Sequence, residues 1–130
     1  TGKPSSTREM VEIVAENMKN PSFRSSMDAV SELSSDAINL LSKGDPKAIG
    51  EAMTRCHSLL KNIGVSSKEL DELIEAVLPL SFGAKLTGAG GGGCIISLSD
   101  KPEECAEAIR ELGGVPYVTS FAEKGVKITT

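Results

Sequence analysis

The sequence predicts an α+β domain, with helices in the first two-thirds of the chain and a small antiparallel sheet with one further helix in the last third. Two observations carry this prediction. Apolar residues recur at helical spacing as far as Pro79, whereas the last third alternates short apolar, β-branched runs with turn signals. Helices that precede a compact group of strands are typical of α+β domains rather than of alternating folds.

Four helices are predicted in the first part, each from a start signal followed by an apolar stripe. Ser6-Thr7-Arg8-Glu9 is a capping box, in which serine and glutamate bond the N–H groups of the first turn. Asn20-Pro21 and Asp45-Pro46 place proline at the favoured first helical position. Ser66-Ser67-Lys68-Glu69 offers a further cap, and the predicted ends are about residue 19, Gly44, Gly64 and Pro79.

The last third predicts four short strands and one helix. The strands are 82–87, 94–98, 115–121 and 126–129, and Asp100-Lys101-Pro102-Glu103 opens a helix between the second and third. The order β-β-α-β lacks only the leading strand of a ferredoxin-like split βαβ, which would lie just before Thr1. We therefore expect residues 1–130 to form a single domain of this architecture.

Glycine fills five of the six positions from 88 to 93, between the first two predicted strands. Ordered glycine costs backbone entropy, and about two glycines are enough for a tight turn, so a simple connection does not explain the cluster. Glycine-rich loops let backbone N–H groups approach anionic oxygens with no side chain in the way. The loop therefore predicts a phosphate-binding site.

Three familiar glycine loops do not fit this segment. Gly88, Gly90 and Gly93 satisfy G-x-G-x-x-G, but a dinucleotide-binding fold opens a helix where residues 94–98 predict a strand. A Walker A loop ends in Gly-Lys-Ser/Thr, and position 94 is cysteine. A protein-kinase loop requires a downstream V-A-I-K lysine and an H-R-D histidine, and His57, the only histidine, lies in no such motif.

The composition narrows the function classes. Hydrophobic residues make up 39% of the chain and charged residues 25%, as in ordinary globular domains. The formal net charge of −4 argues against nucleic acid as a partner. Three cysteines without a CxxC favour neither zinc nor disulfides. The sequence has no signal-peptide pattern and no apolar run of membrane-spanning length, so we expect a cytoplasmic protein without a membrane partner. Because the sequence does not begin with Met, we expect it to be a fragment or a processed product.

The string from Lys85 to Cys94, KLTGAGGGGC, closely resembles the third motif of the GHMP kinases, and within them that of the mevalonate kinases. Two further segments carry the resemblance. Residues 1–11 look like the stretch that opens the C-terminal domain in that family, and residues 59–66 are similar to its L-L-x-x-L-G-V-S segment. The three segments span nearly the whole chain in the family's order, which implies the C-terminal domain of such a kinase.

The resemblance implies transfer of the ATP γ-phosphoryl group to the 5-hydroxyl of mevalonate, in a cleft between two domains. In the family the N-terminal domain holds the main phosphate loop, the catalytic aspartate and the Mg²⁺ ligands, and no residues here match them. We therefore expect no catalytic residue and no metal ligand in this chain, and no activity from it alone. ATP and Mg²⁺ would serve the complete enzyme, whose partners are a mevalonate-like acceptor and the N-terminal domain; dimers are common in the family.

The resemblance also assigns roles to individual residues. The loop facing the phosphates would consist of Gly88, Ala89, Gly90, Gly91, Gly92 and Gly93. Lys85 and Thr87, which share one face of a strand, would lie on the anion or substrate side. Thr1 would match the family's threonine near the acceptor. For Lys85 an ordinary surface lysine is an equal alternative, and for Thr1 a frayed chain end is the plainer expectation.

Two departures from the family keep other functions open. Met53-Thr54-Arg55-Cys56-His57 stands where mevalonate kinases tend to carry asparagines, and Ser81 where they often have glycine. One alternative is another GHMP member, such as a phosphomevalonate or sugar kinase. A second is a stand-alone anion-binding regulatory module on the same kind of sheet.

The remaining polar and sulfur-bearing residues have plain structural interpretations. His57 is expected to be structural or exposed rather than catalytic. The four methionines are expected to fill the core, Cys94 to point inward and Cys105 to be an ordinary helix position. The acidic residues of the fourth helix are expected to form a solvated face; they are Glu69, Asp71, Glu72 and Glu75.

Overall fold

The computed structural model describes residues 1–3, 6–121 and 125. Over these residues the chain forms four helices, a two-stranded hairpin and a final helix, which confirms the predicted α+β class. The elements in chain order are α1 (Thr7–Asn17), α2 (Pro21–Lys43), α3 (Pro46–Asn62), α4 (Lys68–Val77), a 3₁₀ turn (Leu78–Leu80), β1 (Gly83–Thr87), β2 (Cys94–Leu98) and α5 (Pro102–Glu111).

The first four helices begin where the capping signals predict. The Ser6 Oγ accepts a hydrogen bond from the Glu9 amide at 3.3 Å, and Asn20 and Asp45 cap α2 and α3 in the same way. Ser67 Oγ accepts from the Leu70 amide at 3.3 Å at the start of α4. The start of α5 differs from the prediction, because Lys101 is its N-cap residue and no side chain caps the helix.

Strands β1 and β2 pair antiparallel, with Gly83 opposite Leu98 and Thr87 opposite Cys94. The glycine segment is therefore the connection of a hairpin. Ala84 and Leu86 are buried, and Ala84 packs in one core cluster with Ile74, Val77 and Cys105. This face of the hairpin lies on α4 and α5, so the helices fix the orientation of the loop at its end.

The predicted strand over 115–121 is wrong. These residues form no regular element, and Tyr117 and Phe121 are 88% and 86% exposed. An apolar, β-branched run becomes a strand only where a neighbouring strand accepts its hydrogen bonds, and in the described part of the chain the sheet has two strands. The predicted strand over 126–129 lies outside the described residues.

A second cluster joins the other helices. Phe23, Ile63 and Val65 are buried together, and four partly buried residues pack against them: Met10, Val14, Met27 and Leu60. Two of the methionines therefore fill the core as expected, whereas Met18 is 39% exposed. The cluster holds the turn after α3 against α1 and α2, and this turn contacts the glycine loop.

Helix α3 crosses the start of β1 at a contact between two glycines. A Cβ atom on Gly50 would lie 2.1 Å from the carbonyl oxygen of Phe82, and one on Gly83 would lie 1.9 Å from that of Gly50. At the same crossing, the Ala84 amide donates to the Thr54 Oγ1 at 3.4 Å. No side chain larger than hydrogen fits between helix and strand here, so this crossing sets the position of β1.

Gly50→Ala is expected to lower the free energy of unfolding by about 1–3 kcal/mol, although alanine is the better helix former, because the added methyl overlaps backbone atoms that cannot rotate away. Urea unfolding measures the change. Glu51→Ala, at the exposed next position of the same helix, is the control, and should stay within about 0.5 kcal/mol of the starting chain. Equal stability of the two variants would show that the crossing is looser than the structure indicates.

Candidate functional site

The glycine loop at residues 88–93 is ordered by backbone geometry that only glycine adopts easily. Gly88, Gly90, Gly91 and Gly93 have φ angles of 82°, 89°, 71° and 82°. Gly90 is also buried, and a Cβ atom on it would lie 1.9 Å from the Val65 carbonyl oxygen. Position 90 therefore requires glycine for two reasons, its positive φ angle and its close approach to the turn after α3.

Hydrogen bonds attach the loop to two neighbouring segments. The Gly91 amide donates to the Val65 carbonyl at 2.9 Å. The Gly93 amide donates to the Lys3 carbonyl at 3.0 Å and to the Thr1 Oγ1 at 3.1 Å, and the Thr1 backbone nitrogen donates to the Gly93 carbonyl at 2.9 Å. The expectation that Thr1 is frayed is therefore wrong, because residues 1–3 lie along the loop and hold it.

The other loop amides, those of Gly88, Ala89, Gly90 and Gly92, donate to no acceptor among the described residues. Gly88 is exposed and Ala89 is partly exposed, whereas Gly90 and Gly92 are buried. A loop held at two amides and unpaired at the accessible residues Gly88 and Ala89 is suited to bind an anion, since successive N–H groups concentrate positive potential without a charged side chain. The structure thus gives the predicted loop a geometry compatible with phosphate oxygens.

Thr1 and Lys85 line the same cavity, and Thr87 does not. The cavity has a volume of about 810 Å³ and lies between the hairpin, α2, α3, α5 and residues 114–121, whereas Thr87 is exposed and lies outside its lining. Lys85 is partly buried, and its Nζ donates to the Leu86 carbonyl at 2.7 Å. None of the described loop residues 88–93 lines the cavity, so loop and cavity are adjacent features that meet at Thr1, which contacts Gly93.

The predicted inward orientation of Cys94 is wrong. This residue is exposed and lines the cavity, on the same face of the hairpin as Lys85 and Ile96. Cys105, by contrast, is buried, and its Sγ lies 3.4 Å from the Leu80 carbonyl oxygen. Side chains alternate between the two faces of a strand, and the face of β2 that packs on the helices is that of Ile95.

A polar cluster lies behind the loop, between α3 and α4. The Asp71 Oδ1 accepts from Ser66 Oγ at 2.5 Å and lies 3.1 Å from His57 Nε2, while its Oδ2 lies 2.7 Å from Lys61 Nζ. Only 6% of His57 is exposed. The structural expectation for His57 is consistent with this position, but a solvated location for Asp71 is wrong.

Charge and burial determine the protonation of this cluster. Burial lowers the pKa of His57 and outweighs the opposing effect of Asp71, so the imidazole is neutral at neutral pH. Burial raises the pKa of Asp71, but the Lys61 and Ser66 hydrogen bonds bring its net pKa below the ordinary value. Because the carboxylate can only accept, His57 Nε2 carries the proton, and Nδ1 is left as a buried acceptor with no partner among the described residues.

A second ion pair fixes the start of the chain to α4. Lys3 Nζ pairs with the carboxylate of Glu69, and this hydrogen bond lowers the pKa of Glu69 to about 2. Residues 1–3 are thus attached both to the loop and to the helix behind it. Sequence reasoning missed this contact and the Asp71 cluster; the position of Asp71 between the buried residues Leu70 and Leu73 was the available signal.

Two kinds of feature are absent from the part of the chain that the structure describes. No group of three or more histidine, cysteine, aspartate or glutamate side chains in that part could hold a metal ion. No helix among residues 6–121 is long and apolar enough to cross a membrane.

A family profile, curated protein sequences and solved structures all relate this chain to the same family of kinases. The family profile described as GHMP kinases C terminal matches residues 37–115. Mevalonate kinase of Thermococcus onnurineus is 37% identical over 98% of this chain, and that of Pyrococcus horikoshii is 38% identical over the same share. The crystal structure of L. major mevalonate kinase in complex with R-mevalonate superposes on 85% of this chain with a TM-score of 0.79 and 29% identity.

The chain corresponds to only part of these relatives. It spans 41% of the length of each of the two archaeal proteins and 36% of the L. major chain. The resemblance inferred from the motifs is confirmed, as is the predicted fold class.

The stability of the fold is expected to decrease as the pH falls through the range where His57 titrates. The unfolded chain takes up a proton at the ordinary histidine pKa of 6.5, whereas the folded protein, with a lowered pKa, takes it up only at lower pH. The unfolded state therefore binds more protons in this window, and acid favours unfolding. Asp71 adds a second loss below the ordinary pKa of 3.8, since its folded pKa is also lowered.

Urea unfolding at several pH values between about 7.5 and about 5.5, where histidine is the side chain that ordinarily titrates, tests this. His57→Gln, whose amide can still donate to Asp71, is expected to remove most of the pH dependence. A gain of stability on acidification would contradict the neutral, buried state of His57.

Proposed function

The chain belongs to the GHMP kinases as their C-terminal domain, and on that premise we propose that it forms part of an ATP-dependent kinase that phosphorylates the 5-hydroxyl of mevalonate. The observation that carries this proposal is the loop at residues 88–93, whose unpaired amides lie at the end of a hairpin that packs on the helices by one face. The relatives at 37% and 38% identity are mevalonate kinases, which favours mevalonate as the acceptor. The cytoplasm is the proposed location.

Phosphoryl transfer relies on positioning and on stabilising charge more than on covalent steps by the protein. In this proposal the loop amides bind oxygens of the ATP phosphates and stabilise the charge that develops on the transferred group. N–H donors suit phosphate oxygens and do not coordinate a cation. The magnesium that accompanies ATP is therefore assigned, with the catalytic base, to the N-terminal domain that the family pattern places before this chain.

Lys85 and Thr1 are proposed to act on the acceptor side. Both line the cavity beside the loop, and Thr1 also bonds Gly93. The Lys85 ammonium would supply positive charge near an anionic substrate group, and the Thr1 hydroxyl would lie between that group and the loop. Thr87 is exposed and outside the cavity, so it has the weaker case for contact with the substrate.

Coupled ADP-release assays of the full-length kinase with mevalonate, phosphomevalonate and a panel of sugars test the acceptor. We expect turnover with mevalonate, and none from the 130-residue chain assayed alone, because the proposed base and metal ligands lie outside it. Turnover with only a sugar or only phosphomevalonate would show that mevalonate is not the acceptor, and the chain would still belong to a kinase. ATP binding without turnover of any acceptor would favour a regulatory module.

Gly90→Ala in the full-length kinase tests the loop. Its Cβ atom would lie 1.9 Å from the Val65 carbonyl, so the loop must shift, and a displacement of about 1 Å is enough to lower kcat/KM for ATP by about 100-fold. Gly113→Ala is the matched control, since Gly113 has a similar φ of 76° with nothing within 4 Å of an added Cβ atom. That control is expected to cost about 1–2 kcal/mol of stability and no ATP affinity. An equal change of kcat/KM for ATP in the two variants would contradict the proposed role of the loop in ATP binding.

A further inference from the structure

We propose that Ser66 and Asp71 are positioning residues that hold the glycine loop in place through the backbone of Val65. This inference rests on the proposed function, because it concerns how the loop binds the ATP phosphates. Neither side chain contacts the loop, and both act through the turn between α3 and α4.

The first step is the contact between the loop and Val65. The Val65 carbonyl accepts the Gly91 amide at 2.9 Å, and the same oxygen would lie 1.9 Å from a Cβ atom on Gly90. This carbonyl oxygen therefore accepts a hydrogen bond from the loop and also limits how closely the loop can approach the turn after α3. A shift of the Val65 peptide moves the loop amides by a comparable distance.

The second step is the attachment of Val65 to its own turn. Its amide donates to the Leu60 carbonyl at 3.2 Å, and its side chain is buried with Ile63 and Phe23. These contacts fix the Cα atom of Val65, to which its carbonyl carbon is bonded. The direction of the carbonyl also depends on the orientation of the peptide that joins Val65 to Ser66, and the Ser66 Oγ donates to Asp71 Oδ1 at 2.5 Å.

The third step is the rigidity of Asp71. Its two carboxylate oxygens also contact His57 Nε2 and Lys61 Nζ, at 3.1 and 2.7 Å, so the carboxylate joins the end of α3 to the first turn of α4. Charge-assisted hydrogen bonds of this kind are stronger and shorter than neutral ones. Ser66 is therefore attached to a group that both helices hold.

The neighbouring serine provides a matched comparison. Ser67 caps α4 through its Oγ, at 3.3 Å from the Leu70 nitrogen, and this side chain makes no described hydrogen bond with Asp71 or with the loop. Its backbone carbonyl accepts the Asp71 amide at 2.9 Å, a helical bond that a change of side chain leaves in place. Loss of the Ser67 hydroxyl weakens the fold but leaves the hydrogen bond between Ser66 and Asp71. Loss of the Ser66 hydroxyl removes that hydrogen bond and leaves the cap of α4.

The experiment compares Ser66→Ala, Ser66→Thr and Ser67→Ala in the full-length kinase, with Asp71→Ala as a more severe variant. Hydrogen exchange at the amides of residues 88–93 reports on the loop directly, and steady-state kinetics report on KM for ATP and for the acceptor separately. Melting temperatures identify variants that lose stability only.

Ser66→Ala is expected to increase exchange at the Gly91 amide and to raise KM for ATP by about tenfold, with the acceptor KM unchanged, because positioning contacts behind a binding group typically contribute about 10- to 100-fold. Ser66→Thr retains the hydroxyl and is expected to restore both values. Ser67→Ala is expected to melt earlier with loop exchange and KM for ATP like the wild type.

Equal loop exchange in Ser66→Ala and Ser67→Ala would overturn the proposal, as would a KM effect that merely follows melting temperature. Asp71→Ala, if folded, removes the acceptor of the Ser66 hydroxyl and must show at least the Ser66→Ala effect, and a smaller effect also counts against the proposed role of the Ser66–Asp71 hydrogen bond. If the loop loosens but no nucleotide binds in any variant, the positioning role stands and the kinase function fails. If ATP kinetics are normal for a kinase yet exchange does not change, the positioning role fails alone.

Discussion

The candidate site depends on one backbone contact, between the carbonyl of Val65 and the loop at Gly90 and Gly91. The carbonyl makes a hydrogen bond of 2.9 Å to one glycine and excludes any side chain on the other. A hairpin connection of this length would otherwise be among the least stable parts of the molecule, since loops with few buried contacts open easily. Here the loop is held from behind by the turn after α3 and from the side by residues 1–3.

The hairpin itself is positioned by the crossing of α3 over β1. Because Gly50 and Gly83 leave no space between the helix and strand backbones, α3 can fix β1 with little freedom. The same helix ends at Asn62, immediately before the turn that contacts the loop. One helix therefore controls both the base of the hairpin and the support under its tip, which couples the stability of the core to the geometry of the loop.

The parts of the fold that sequence reasoning predicted are those with local causes. Capping residues at 6, 20, 45 and 67 specify the starts of α1 to α4 within a single turn of chain. The glycine loop was recognised for a similar reason, because so dense a run of glycine costs too much entropy to serve as an ordinary turn. The strand predicted over 115–121 failed because a strand depends on a partner that no local pattern supplies. Asp71 was missed because its partner His57 lies on another helix, 14 residues away in sequence.

For an acidic chain, the proposed binding of phosphate requires a local source of positive potential. The net charge of −4 is spread over the surface and is screened within about 8–10 Å at physiological ionic strength. Loop amides act at hydrogen-bond distance, where their fixed dipoles are effective and need no reorganisation. Backbone amides in a fixed loop also donate to phosphate oxygens in a defined direction. A flexible lysine side chain supplies charge but defines this direction less well. Under the proposed function, the different ranges of these two interactions account for a loop that is built of glycine and held by backbone contacts, with the cation Lys85 on β1 rather than in the loop.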